Sequence, residues 1–136
     1  VIPGSNSSMA KGLYSLGLYL YNQEYSDMAL QMLKNVSGEF VGKEYPSFYS
    51  NWCQLYLTHV RPPYEVAIMG DDFDVKRKEI MAKYLPNAIF LGGKSEGKLE
   101  LLKNKLPDGE TMIYVCQNKV CKLPVMEVSE ALGLME

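Results

Sequence analysis

The sequence predicts a mixed α and β chain: antiparallel helices over residues 1–62, then a small, mainly parallel α/β sheet segment over residues 63–136. Three observations predict it. Apolar residues recur at helical spacing as far as Val60. Pro62-Pro63 then ends any helix, because proline lacks the N–H and clashes with the preceding turn. Beyond it the apolar residues gather into short runs of strand length separated by helical or turn-forming stretches.

Each element has its own signal. Ile2-Pro3-Gly4-Ser5-Asn6 is a turn-forming entry, with Ser5 or Asn6 available as N-cap. Leu13, Leu16, Gly17 and Leu20 make one helical stripe, and Asn22-Gln23 breaks it. Met28, Ala29, Met32, Leu33 and Val36 make a second, which Gly38 can stop. Tyr45-Pro46-Ser47 restarts the chain, and Tyr49, Trp52, Cys53, Tyr56, Leu57 and Val60 form a third. Glu65–Gly70 then reads as a buried strand, and Val75–Leu85 as a helix capped by Asp74. Ala88–Gly93 reads as a second buried strand, Lys98–Leu106 as a short helix and Pro107-Asp108-Gly109 as a turn. Thr111–Cys116 is the third strand, Val120-Cys121-Lys122 a short hairpin partner, and Val128–Leu134 a last turn or two of helix. Strands alternating with helices imply right-handed crossovers and parallel pairing.

Composition narrows the function classes. Apolar residues are 47% and charged residues 22%, a globular balance that argues against disorder. Net charge is −2, and the one basic stretch, Lys76-Arg77-Lys78, lies beside Asp71, Asp72, Asp74 and Glu79, so no nucleic-acid partner is expected. No apolar run reaches membrane-spanning length, so no membrane partner is expected either. Ten Tyr against four Phe favour half-buried rings, and the helical stripes offer more than one apolar face. The isolated chain is therefore expected to self-associate. An odd count of three Cys does not look like a secreted disulfide scaffold, so a reducing cytoplasm is expected.

The chemistry-bearing candidates are few. Cys116 and Cys121 flank a polar stretch between two β-prone segments. If a four-residue turn joins two antiparallel strands there, the two Cys sit opposite one another with Cα atoms about 4.5–5.5 Å apart, near the range a disulfide accepts. Three readings stay open: two small buried residues, a disulfide or redox pair, and a metal site. The expectation is a reduced pair with a structural role, since free Cys packs as a hydrophobe. A zinc site needs further ligands, and Cys53 and His59 fit no usual spacing. Asp71, Asp72 and Asp74 sit after the first strand, where open sheets bind ligands. One Gly and three carboxylates suit caps and surface charges better than a phosphate cradle. His59 has no acid near it in sequence to orient it as a base. No catalytic, cofactor-binding or metal residue is assigned, and no cofactor is expected.

Ile2-Pro3-Gly4-Ser5-Asn6-Ser7 before a helix, Tyr25…Ala29, Tyr45-Pro46, Glu65–Gly70, Leu85-Pro86-Asn87 and Tyr114-Val115-Cys116…Cys121…Pro124-Val125 run in one consistent order. In that order they resemble the C-terminal end of the spermatogenesis-associated, thioredoxin-domain-containing protein family. The resemblance implies a parent with a thioredoxin-like domain, a helical barrel similar to N-acylglucosamine 2-epimerases and six-hairpin glycosidases, and a short α/β end. Residues 1–62 would then be the last helices of the α/α barrel, and the missing N-terminal part of the parent would be their partner. Three functions follow as expectations. The first is a non-catalytic fragment of a carbohydrate-related or redox-linked protein. The second is a helical interaction module, and the third a redox module using Cys116 and Cys121.

Overall fold

The computed structural model describes residues 4–43 and 46–135; Ile2-Pro3 of the entry turn and Tyr45 lie outside the described residues. The chain falls into two compact units, Val1–Arg61 and Pro62–Glu136.

The first unit holds α1 (Ser5–Leu20), α2 (Gln23–Ser37), a 3-10 turn (Pro46–Tyr49) and α3 (Ser50–Val60). The α1–α2 hairpin closes through Tyr21, whose left-handed backbone (φ 52°) caps α1. The Asn22 N–H reaches the Gly17 carbonyl at 3.0 Å, while the Asn22 side chain accepts the Glu24 and Tyr25 N–H groups that begin α2. The entry cap differs from expectation: Gly4 is the N-cap, and the Ser7 hydroxyl donates to its carbonyl at 2.8 Å.

The buried stripe of α1 differs too. Ser7, Ala10, Tyr14 and Gly17 face inward, while Leu16 and Leu20 are half exposed. Close approach explains it, since a Cβ on Gly17 would fall 3.0 Å from Ser26 N and 3.1 Å from Asn22 O. The two backbones meet where side chains are smallest, and the large residues are turned away. The Asn51 amide donates to the Ser7 hydroxyl, and Lys11 donates to Asn51 and Gln54, which ties α3 to α1. These three helices close no barrel among the described residues, so the expected α/α-barrel architecture is corrected.

The second unit is a four-stranded sheet, in spatial order β2-β1-β3-β4, with helices on one face. Its elements are β1 (Tyr64–Met69), α4 (Phe73–Met81), β2 (Ala88–Gly93), a 3-10 turn (Glu100–Leu102), β3 (Met112–Gln117), β4 (Val120–Cys121) and α5 (Val128–Gly133). Only β1 and β2 are parallel; β3 runs antiparallel to β1, and β4 antiparallel to β3. The mainly parallel sheet is thus a second correction, and the register gives its reason. Met69 of β1 faces both Gly93, the end of β2, and Met112, the start of β3. The segment 94–111 therefore leaves and re-enters the sheet at the same end. A parallel β3 would need a crossover back to the far end, usually a helix. The chain supplies only the 3-10 turn where Lys98–Leu106 reads as a helix.

Val66, Ile68, Ile113 and Val115 point to the helical face and form the core with Ile80 of α4 and Val128 and Ala131 of α5. The opposite face carries Glu65, Ala67, Met69, Tyr114 and Cys116 by alternation.

Candidate functional site: a cysteine pair at the sheet edge

The sheet ends in a tight hairpin. Asn118 and Lys119 both have positive φ (51° and 66°), the backbone of a type I′ turn, whose twist matches the strands it joins. The loop is two residues long, so Gln117 faces Val120 and Cys116 faces Cys121. The Lys122 N–H to Val115 carbonyl bond at 2.9 Å closes the next rung. Cys116 and Cys121 are therefore a non-hydrogen-bonded pair, in which side chains lie closest.

They are joined as a disulfide, with Cα atoms 3.8 Å apart. This replaces the expected reduced pair. A β-type reversal with even register brings both sulfurs to one face, and the two-residue loop leaves no slack between them. The two cysteines differ in setting. Cys116 is 1% exposed, whereas Cys121 lies on the exposed edge strand β4. Cys53 is a free, half-buried thiol in α3.

Glu65 is the acidic residue nearest in register. It faces Cys116 from β1, it is 3% exposed, and its Oε1 accepts the Lys119 N–H at 3.3 Å. In the sequence it stood only at the head of an apolar run. A carboxylate inside such a run was the signal that could have singled it out, because buried charges need partners. Gln117 donates its amide to the Pro62 carbonyl at 2.7 Å, which pins the hairpin to the start of β1.

Farther along the same face, burial pushes the Tyr114 hydroxyl up from its ordinary range, and the Glu96 carboxylate adds to this. Lys105 lies 5.8 Å from the Tyr114 ring centre. Backbone N–H groups of Leu106, Asn104 and Lys105 hold the Glu96 carboxyl below the usual range. That carboxylate fastens the loop leading into β3.

The other candidates do not gather into a site. Asp74 lies inside the first turn of α4, not at its cap, and pairs with Lys78 (2.6 Å) and Arg77 (2.7 Å). Those hydrogen bonds, Lys78 first, hold its carboxyl low. Asp72 occupies the N-cap position without a side-chain cap bond, and Asp71 is exposed, 3.7 Å from Lys94. Among the described residues no three His, Cys, Asp or Glu side chains are grouped as metal ligands would be. His59 ends α3 on the surface. Among the described residues no helix is long and apolar enough to cross a membrane.

No family model, no curated protein and no solved structure matches the chain. This overturns the resemblance to the spermatogenesis-associated, thioredoxin-domain-containing family, and with it the six-hairpin, epimerase-like assignment. The residues that carried it have local explanations. Glu65–Gly70 is a central strand and its turn, and Cys116…Cys121 is a hairpin.

Proposed function

We propose that the α/β unit is a thiol–disulfide exchange element with Cys116 and Cys121 as its redox pair. The observation that carries this reading is the bond between one buried and one exposed cysteine on facing strands. Access selects the sulfur that is attacked. A thiolate from a low-molecular-weight thiol or a protein dithiol attacks Sγ of Cys121. The Cys121–Cys116 bond breaks, and Sγ of Cys116 leaves with the electron pair and takes up a proton. A second donor thiolate then attacks the donor sulfur of the mixed disulfide. The Cys121 thiolate leaves and is protonated, and the donor departs as its own disulfide. Two electrons and two protons have reached the pair. Opening the bond leaves the fold in place. The closed loop is short, so its entropic contribution is only about 2 kcal/mol, and the hairpin keeps its turn and rungs.

The test uses the full chain carrying Cys53→Ser. It is treated with a dithiol reductant and then with oxidised glutathione, with thiols counted by alkylation and mass spectrometry and the fold followed by circular dichroism. The expected result is the gain and loss of two thiols, reversibly, with the spectrum unchanged. A bond that opens only in denaturant, or thiols that oxidised glutathione leaves reduced, would overturn the reading.

A second reading rests on a separate observation. Met9, Leu16 and Leu20 of α1 are all about half exposed and recur at spacings of seven and four, which puts them on one helical face. That face supports a helical interaction module that pairs two copies of the chain. Light scattering over a concentration series should show dimers, and Leu16→Glu with Leu20→Glu should abolish them. A monomer at all concentrations that binds no hydrophobic dye sinks this reading.

A further inference from the structure

We infer that Glu65 is the proton acceptor for Cys116 when the disulfide re-forms, an assignment that rests on the exchange reading above. The register places Ile89, Glu65, Cys116 and Cys121 in one row across β2, β1, β3 and β4. Facing residues of adjacent strands project from the same face, so the carboxylate and both sulfurs share one side of the sheet. The bond from the Lys119 N–H shows where the carboxylate reaches. Lys119 lies in the turn beyond Cys116, so the Glu65 side chain extends along the cysteine toward the hairpin tip.

The chemistry of closing needs such a group. In the mixed disulfide, Cys121 carries the donor sulfur and Cys116 is a buried thiol. A thiol must lose its proton before its sulfur can attack, and a cysteine 1% exposed has little water to take it. Glu65 takes the proton from Cys116 Sγ. The electron pair of that sulfur forms the bond to Cys121 Sγ, and the Cys121–donor bond breaks. The donor leaves as a thiolate, which takes up the proton that Glu65 passes on through solvent.

The surroundings leave this role to Glu65. From β2 it faces the apolar Ile89, and from β4 the row ends at Cys121. The turn contributes Lys119. Tyr114 stands two residues along β3, with Lys105 and Glu96 beside it. Glu100, in the 3-10 turn packed on β1, is paired with Lys103. Lys122 is committed elsewhere, donating to the Leu134 carbonyl.

The experiment starts from the glutathione mixed disulfide at Cys121 in the Cys53→Ser chain. It follows glutathione release between pH 6 and 9 by quenched mass spectrometry, with Glu65→Gln compared to the parent. Gln keeps an acceptor for the Lys119 N–H. The expected result is closure about 10²-fold slower at pH 7, with a rate that climbs roughly tenfold per pH unit as hydroxide takes over deprotonation. The parent should show a flatter profile. Electrostatics alone predicts the opposite sign, because removing a nearby negative charge makes a thiolate easier to form and closure faster. Glu65→Asp, measured alongside, should slow closure while keeping the flatter profile. Equal or faster closure in Glu65→Gln overturns the assignment while leaving the exchange reading standing. If the parent chain never closes the mixed disulfide, both fail together. Should Glu65→Gln lose the native spectrum, the Glu65→Asp profile decides: a steep climb with pH overturns the assignment, and a flat one supports it.

Discussion

Gly70→Ala is expected to destabilise the α/β unit by about 2–6 kcal/mol, the sum of a backbone cost of roughly 1–3 kcal/mol and an overpacking cost of roughly 1–3 kcal/mol. Gly70 follows β1 with φ 131°, a conformation that L side chains rarely adopt. An added Cβ would also stand 2.5 Å from Thr111 Oγ1 and 2.6 Å from Thr111 Cα. Neither neighbour is free to move. Thr111 is buried, and its hydroxyl accepts the Asp72 N–H at 2.9 Å at the start of α4. The Gly70 N–H is itself bound to the Gly93 carbonyl, where β2 ends. Three elements converge on one residue without a side chain. A small domain has about 5–15 kcal/mol in total, so much of the unit's stability is at stake. Gly109→Ala separates the two contributions. Gly109 also has positive φ (108°), but nothing lies within 4 Å of its added Cβ, so only the backbone cost remains. Hydrogen exchange of β1 and β3 amides reads the effect. Trp52 fluorescence would not serve, because the only Trp lies in α3. Equal losses for the two variants would show that the contact with Thr111 is unimportant.

The period of the apolar residues is a local property, and it locates elements. Helices fall at 5–20, 23–37 and 50–60, and the runs at 66–69, 88–91 and 112–116 fall in strands. Strand direction is not local. It depends on which end of the sheet the 94–111 segment returns to, and nothing in the strands themselves encodes that. The inward side of α1 is likewise set by a partner and not by its own apolar stripe. Leu16 and Leu20 are the more hydrophobic residues, but Gly17 and Ala10 permit the closer approach of α2, and packing chose them. The apolar run of β2 read as buried on both sides, yet it is an edge strand and only half buried. The candidate site was legible in part. A reversal between Cys116 and Cys121 was visible in the polar turn residues, but the shorter two-residue loop that aligns the sulfurs depends on left-handed backbone at Asn118 and Lys119. Glu65 could be recognised only once the register set it beside Cys116.

Ile113→Ala is expected to cost about 2–5 kcal/mol, the usual range for removing a large aliphatic side chain from a closed core. Ile113 is fully buried in β3, in a cluster with Val66 and Ile68 of the sheet, Ile80 of α4 and Val128 and Ala131 of α5. Its strand is held between two neighbours. It pairs with Ile68 in β1, and its N–H and carbonyl bond to Val125 at 2.7 and 3.0 Å. The strand therefore cannot shift to fill the space, and the cavity stays open. Ile89→Ala removes the same atoms from the half-buried edge strand β2, where water can reach the site and the chain can relax. It should cost well under half as much. The comparison depends on the order β2-β1-β3-β4. A mainly parallel sheet with β2 at its centre would reverse the ranking, with Ile89→Ala the more damaging change. Hydrogen exchange of the β1 amides under native conditions, measured for both variants, checks it. Exchange should quicken strongly in Ile113→Ala and little in Ile89→Ala, and the opposite order would refute the placement of β3 against the helical face.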